Sequence, residues 1–360
     1  MTLHSIDATA HGRAAASGPV PVRFGGRAGE WFGIWIVNLL LTIVTLGIYS
    51  AWAKVRRNRY FYRNTTIGGR GFDYHATGGQ ILVGRLIVIG VLVAANLLLG
   101  LFPVLVVAYV AAAVVLVPWL VIRASRFAAR NTSWSNVRFD FQAGYGAAFV
   151  TYVLLPVGVA LTLYTTLPFL TRRIQSFTVN GHRLGNRRFA LEAPIGGFYA
   201  AFAIALAFAV AAVAVLAGLF YATLPDLGSD AGEAIFGVML ASLYLGLFVA
   251  VLPAAVLYRA MVRNLVFAAA TLEGGHRFAS TVHPGRLLWI AASNAVVIVA
   301  TLGLMLPWAQ IRMARYMADH TTVTPRGSLD DFAGSIERDR SAVGDAFGDI
   351  EGFDVGIGAV

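Results

Sequence analysis

Four long apolar runs, at residues 81–101, 104–122, 195–222 and 234–262, decide the solvent in which this chain folds. At 1.5 Å per residue, about 20 residues of helix cross a hydrocarbon core roughly 30 Å thick. None of the runs holds an Asp or Glu. Only 13% of the 360 residues are charged and 58% are hydrophobic. An ordinary soluble domain carries about 25% charge, so this composition cannot cover a normal water-facing surface. The expectation is an integral membrane protein.

The runs pair into two tight hairpins. Only Phe102 and Pro103 separate the first two, so both must open on the same side. The second pair is joined by residues 223–233, which hold Asp226, Asp230 and Glu233 and no basic residue. Arg123, Arg126 and Arg130 follow the first hairpin; Arg187 and Arg188 precede the second, and Arg259 and Arg263 close it. The positive-inside rule then puts both tips outside and the four outer ends in the cytoplasm. Arg85, one turn into its helix, would snorkel to the headgroups. The net charge of +10 is nearly all arginine, with Lys54 the only lysine. Its placement at helix ends fits anionic lipid headgroups and not a nucleic-acid face. Residues 1–30 are polar and lack the apolar stretch of a cleaved signal peptide.

Three more apolar segments, near 31–53, 146–170 and 287–309, precede, separate and follow the hairpins. The first and last are copies. Thr45-Leu46-Gly47 is followed by Trp52, Ala53, Arg56, Arg59 and Tyr60; Thr301-Leu302-Gly303 is followed in the same ungapped register by Trp308, Ala309, Arg312, Arg315 and Tyr316. Asn38 matches Asn294, and Gly29 matches Gly285. The middle copy is looser, with Thr162-Leu163, Phe169 and Arg173. The chain thus reads segment, hairpin, segment, hairpin, segment, an internal repeat. A second repeated element, at residues 64–72, 131–139 and 270–278 and in degenerate form at 177–189, alternates polar and apolar residues around a Gly or Asn turn. That is the pattern of a short β-hairpin, and lone hairpins need partners to persist in water.

The three extra segments raise a topology conflict. The middle and last are basic at both ends, so a full crossing would carry an arginine cluster outside. Two arrangements answer this. Either the segments turn back on the cytoplasmic side at Thr-Leu-Gly and Pro156-Val157-Gly158, giving parallel repeats, or they cross and the repeats are inverted.

Residues 24–79 carry a family resemblance. Phe24-Gly25-Gly26, Trp31-Phe32-Gly33-Ile34-Trp35, Thr45-Leu46-Gly47-Ile48-Tyr49-Ser50-Ala51-Trp52-Ala53-Lys54, and then Arg59-Tyr60-Phe61-Tyr62 and Phe72-Asp73-Tyr74-His75 resemble the YjgN family (DUF898). The later Arg138-Phe139, Arg188-Phe189 and Arg277-Phe278 continue the likeness, which covers roughly residues 24–324. The resemblance implies a multi-pass protein of the bacterial inner membrane and no established activity.

The sequence offers little chemistry. With no cysteine, disulfides and thiolate catalysis are excluded. No phosphate-binding loop, serine-hydrolase elbow or zinc-protease motif is present, so no enzyme, cofactor or metal site is expected. His75, His182, His276 and His283 read as scattered interfacial histidines. Asn38, Asn96 and Asn294 are the candidate cavity-lining residues, with interhelical hydrogen bonding as the plainer alternative. Lys54, Arg56, Arg57, Arg59, Arg312 and Arg315 are the candidate contacts for lipid headgroups or anions. The tail beyond residue 325 is acidic; Leu329, Phe332, Ile336, Val343, Phe347 and Ile350 recur at helical spacings, suggesting an amphipathic segment that docks on the basic face.

The expected fold is an all-α polytopic helical bundle with an internal repeat and small cytoplasmic β-hairpin turns. It comprises a polar segment 1–23, a membrane domain 24–324 and an acidic tail 325–360. Two functions are open: a transporter or channel-like protein using the repeat interface, or a non-transporting scaffold or lipid-binding protein recruiting partners through basic turns. The only partners named by the sequence are membrane lipids, anionic headgroups included.

Overall fold

The computed structural model of the chain describes residues 18–223 and 232–327, together with Phe332 and Gly334. Ten short strands form one closed antiparallel barrel. They are β1 (Val20–Phe24), β2 (Thr65–Ile67), β3 (Arg70–Tyr74), β4 (Thr132–Trp134), β5 (Val137–Phe141), β6 (His182–Leu184), β7 (Arg187–Leu191), β8 (Ala270–Leu272), β9 (His276–Ser280) and β10 (Thr321–Thr324). The expectation of an all-α protein is therefore overturned. The β-hairpins read from the sequence are β2–β3, β4–β5, β6–β7 and β8–β9, and instead of lying separately they share edges. The first strand comes from the stretch around residue 23 and the last from the Thr321-Thr322 element; their pairing, Val20 with Val323 and Pro21 with Thr322, closes the ring. Closure leaves no strand edge unpaired, which is how such short strands become stable.

Strands such as β1, β7 and β10 show the two-residue alternation of a sheet with one apolar face. In β5, Val137 and Phe141 are buried while Arg138 is exposed. One inward residue from every strand forms a continuous apolar layer, built from five register pairs: Val22 with Ile67, Phe72 with Trp134, Phe139 with Leu184, Phe189 with Leu272 and Phe278 with Val323. Successive phenylalanine rings lie 6.5, 6.4 and 5.9 Å apart from Phe72 to Phe278. These separations fit offset ring packing.

The helices are inserted into the barrel as five modules. Tight turns join β2 to β3, β4 to β5, β6 to β7 and β8 to β9; every other connection is helical. Because sequential strands are antiparallel neighbours, all tight turns fall on one rim and all helical insertions leave from and return to the other. Two insertions are long: α3 (Gly78–Leu101) with α4 (Val106–Arg130), and α8 (Ile195–Thr223) with α9 (Gly232–Ala269). These supply the four helices long and apolar enough to cross a membrane. The α8–α9 tip, with Asp226 and Asp230, lies outside the described residues.

The other three insertions are short and broken: α1 (Ala28–Val44) with α2 (Ser50–Arg63); α5 (Tyr145–Phe149), a π-helical turn and α6 (Leu155–Leu161) with α7 (Leu167–Gly181); and α10 (Pro284–Ala300) with α11 (Leu306–Asp319). At the breaks Leu46 and Gly47, Leu163 and Tyr164, and Leu302 and Gly303 all have positive φ. A threonine holds each one. Thr45 Oγ1 donates to the Leu41 carbonyl and accepts from the Tyr49 amide; Thr301 does the same between Val297 and Met305. A 17-residue helix such as α1 reaches about 25 Å from the rim, short of a full bilayer with its headgroups. The 24-residue α3 reaches about 36 Å. Each broken segment thus begins and ends on one rim.

Candidate functional site

The residues singled out in the sequence divide by what they touch. Asn38 and Asn294 are both buried, and each accepts a hydrogen bond from the arginine of its own repeat, Arg56 Nη1 at 3.0 Å and Arg312 Nη1 at 2.9 Å. Asn294 also donates to the Ala309 carbonyl, and Arg312 lies over the Trp308 ring. These asparagines lock α1 to α2 and α10 to α11 behind the breaks. Asn96 does not join them: it is exposed on α3 and bonds to the Leu92 carbonyl of its own helix.

Arg59 and Arg315 serve the barrel. In every module the helix that returns to the rim reaches a carbonyl just past a departing strand, or at its last residue. Arg59 binds the Tyr74 carbonyl, Arg126 that of Phe141, Arg172 that of Ala193, Asn264 that of Val282 and Arg315 that of Gly26. These bonds fix the helical hairpins to the sheet with fivefold regularity. The charge of Arg63 is likewise used at the rim, where its hydrogen bond holds the Asp73 carboxyl below the usual carboxylate range.

Of the six cations expected at headgroups, Lys54 and Arg57 remain for other work. Both line a cleft of about 340 Å³ between α1, α2, α3 and the start of α11. Arg85 of α3 enters it from the opposite wall, its Nη1 2.5 Å from Ser50 Oγ. Asn38, Thr42, Ser50 and Gln310 supply neutral polar groups, while Trp31, Trp35, Leu39 and Leu306 make an apolar side. Trp31 is fixed by its indole N–H, which donates to Gln310 Oε1 at 2.7 Å. Among the described residues, no Asp or Glu lines the cleft. The sequence pointed to Asn38, Lys54 and Arg57; it assigned Arg85 only to the interface and gave no sign of Ser50 or Gln310.

A second cavity lies within the barrel and is small, about 80 Å³, and apolar. Phe332, from the tail, closes it at the turn rim, its ring 4.1 Å from that of buried His276. The Arg326 amide donates to His276 Nδ1 at 3.3 Å. Burial, with Arg187 nearby, holds the His276 pKa below its ordinary value. The rest of the acidic tail, and the amphipathic segment read there, lies outside the described residues apart from Gly334. Among the described residues no three His, Asp or Glu side chains converge as a metal site.

This architecture can be set against known proteins. The model of a bacterial protein family of unknown function, DUF898, matches residues 19–350. The chain belongs to the DUF898 family. It is 28% identical over 352 residues to the inner membrane protein YjgN of Salmonella typhimurium, covering 85% of this chain and 88% of that one. A protein of the same name from Escherichia coli is 30% identical over 152 residues, 42% of this chain and 38% of its own. No solved structure matches. With its four spanning-length apolar helices, the DUF898 chain is a multi-pass inner-membrane protein.

Proposed function

We propose that this DUF898 protein is a non-transporting, lipid-engaging membrane protein. Its barrel sits at the cytoplasmic surface, and its three broken hairpins dip into the adjacent leaflet. The observation that carries this reading is the set of breaks. Leu46, Leu163 and Leu302 stand at the three tips, 94, 85 and 94% exposed, in a backbone region that leucine seldom adopts. A large apolar side chain held at positive φ with no protein contact has a physical reason only if hydrocarbon surrounds it. The arginines at the bases of the hairpins match the anionic surface they would meet. The barrel lumen supports the same reading. It is crossed by an apolar aromatic layer, and a polar solute would lose its hydration there without gaining hydrogen bonds.

The absence of native cysteine makes the test direct. Single-cysteine variants Leu46→Cys, Leu163→Cys and Leu302→Cys are labelled with a fluorophore, and the protein is reconstituted in lipids brominated along the acyl chain. The expected result is strong quenching at all three tips and no reaction of the free thiols with a membrane-impermeant reagent from either face. A tip that reacts from the face opposite the barrel would show a full crossing and end this reading.

A further inference from the structure

We infer that the cleft between α1, α2, α3 and α11 is a binding site for a phosphate-bearing anion, with the headgroup of an anionic phospholipid as its occupant. This rests on the reading above, because it places the cleft at the headgroup level. Lys54, Arg57 and Arg85 face one space of about 340 Å³ that, among the described residues, no carboxylate lines. The ion pairs seen among the described residues, Arg27–Glu30, Arg63–Asp73 and Arg130–Asp140, involve none of the three. Three cations this close repel one another unless an anion sits between them. Arg85 has the strongest need: it lies within a membrane-spanning helix, and among the described residues the side-chain acceptor it meets is the Ser50 hydroxyl. Intramembrane arginine is costly without a charged partner.

The internal repeat acts as a built-in control. The positions that lock the hairpin are the same in both copies, Asn38 with Arg56 and Asn294 with Arg312. The positions that charge the cleft are not. In the ungapped register Lys54 corresponds to Gln310, Arg57 to Met313 and Ser50 to Leu306. The hairpin therefore forms without these groups, and their presence in one copy needs another explanation. The chain's only lysine stands here, a compact ammonium suited to a phosphate oxygen, beside arginines suited to bidentate contact. Trp31, Trp35, Leu39 and Leu306 give the apolar wall that an acyl chain or glycerol backbone would follow.

The test uses the full chain in a neutral detergent, with binding read by native mass spectrometry. The probes are phosphatidylglycerol, phosphatidylethanolamine, glycerol 3-phosphate and inorganic phosphate. Lys54→Gln with Arg57→Met writes the residues of the last repeat into the first, so the fold is expected to stand; Arg85→Gln tests the third cation separately. Phosphatidylglycerol should bind in preference to phosphatidylethanolamine, and the double variant should weaken it roughly thirtyfold, with about 1 kcal/mol for each cation. If glycerol 3-phosphate or inorganic phosphate binds as tightly as the lipid and shows the same loss, the phosphate site stands and its occupant is a soluble anion. Equal binding of the two lipids, or wild-type affinity in both variants, overturns the inference. The tip-quenching experiment reads independently of these residues, so quenched tips with both variants unchanged would remove the cleft site alone. Reactive tips would remove the wider reading.

Discussion

His276 shows at the residue scale how the barrel is closed. Its Nδ1 accepts the Arg326 amide, and its ring packs on Phe332. Acceptance requires an unprotonated Nδ1, and burial beside Arg187 favours the neutral ring. A depressed pKa means that protons bind better once the tail is released. The seating is therefore fully present above the ordinary histidine value of about 6.5 and is lost as pH falls below it towards the depressed value. Hydrogen exchange across residues 321–327, expressed as protection relative to the unstructured rate, should fall between pH 7.5 and 5.5. His276→Gln should flatten that dependence, and an unchanged wild-type profile would contradict it. The locking asparagines give a second outcome. Asn294→Ala removes one of the two side-chain acceptors of half-buried Arg312, leaving Ser293 Oγ, at a cost of about 1 kcal/mol, visible as a lower thermal midpoint in detergent. Asn96→Ala, on an exposed helix face, should leave the midpoint unchanged. The sequence grouped these three asparagines because all sit in apolar runs; composition does not reveal which helix face meets protein.

At the scale of elements, the breaks in the three short insertions follow a local rule. Threonine bonds backward to the helix it ends, and two residues at positive φ turn the chain. Two copies place glycine second, at φ 92 for Gly47 and φ 89 for Gly303, whereas the middle copy places Tyr164 there at φ 64. Glycine tolerates this region and a β-branched residue does not. Gly303→Val should therefore destabilise the hairpin by about 1–3 kcal/mol, and Tyr164→Gly should stabilise its copy by about 1 kcal/mol. Chemical unfolding in mixed micelles measures both, and the same sign for the two substitutions would contradict the account. The first and last breaks were legible in the sequence because Thr-Leu-Gly is a local signal repeated in register; the middle one was not, since Pro156-Val157-Gly158 lies within α6 and the chain turns at Leu163-Tyr164. The strands were half legible. Their alternation and turns stand out in hairpins such as residues 131–139, but β1 and β10 have no neighbouring partner in the chain. Val20 finds Val323 only through tertiary closure. An all-α expectation is what local reading yields when strands of three to five residues are judged one at a time.

For the whole molecule, the barrel converts a membrane topology puzzle into a connectivity rule. Ten antiparallel strands in near-sequential order force every helical insertion to leave and re-enter on one rim. Arg172, Arg173, Arg286, Arg312 and Arg315 belong to helices that start or end at that rim, so the proposed placement meets the charge bias without translocating an arginine cluster. The cleft was partly legible for the same reason. Asn38, Lys54 and Arg57 belong to one short stretch, whereas Arg85 and Gln310 arrive from other modules and meet it only once the ring of hairpins has formed. The charge pattern therefore reports the side of the membrane, and the barrel reports the path between.

The shared rim is tested most directly by labelling the tight turns. Single cysteines at Gly69, Asn136, Asn186 and Gly274 mark the four turns, one between each pair of successive helical insertions. Intact spheroplasts are treated with a membrane-impermeant thiol reagent, and the same preparation is treated again after the inner membrane is broken. The account predicts that all four remain unlabelled in intact cells and that all four react once the cytoplasmic face is opened. Reaction at position 186 in intact spheroplasts, with the other three protected, would place one hairpin across the membrane and contradict a barrel with a single helical rim.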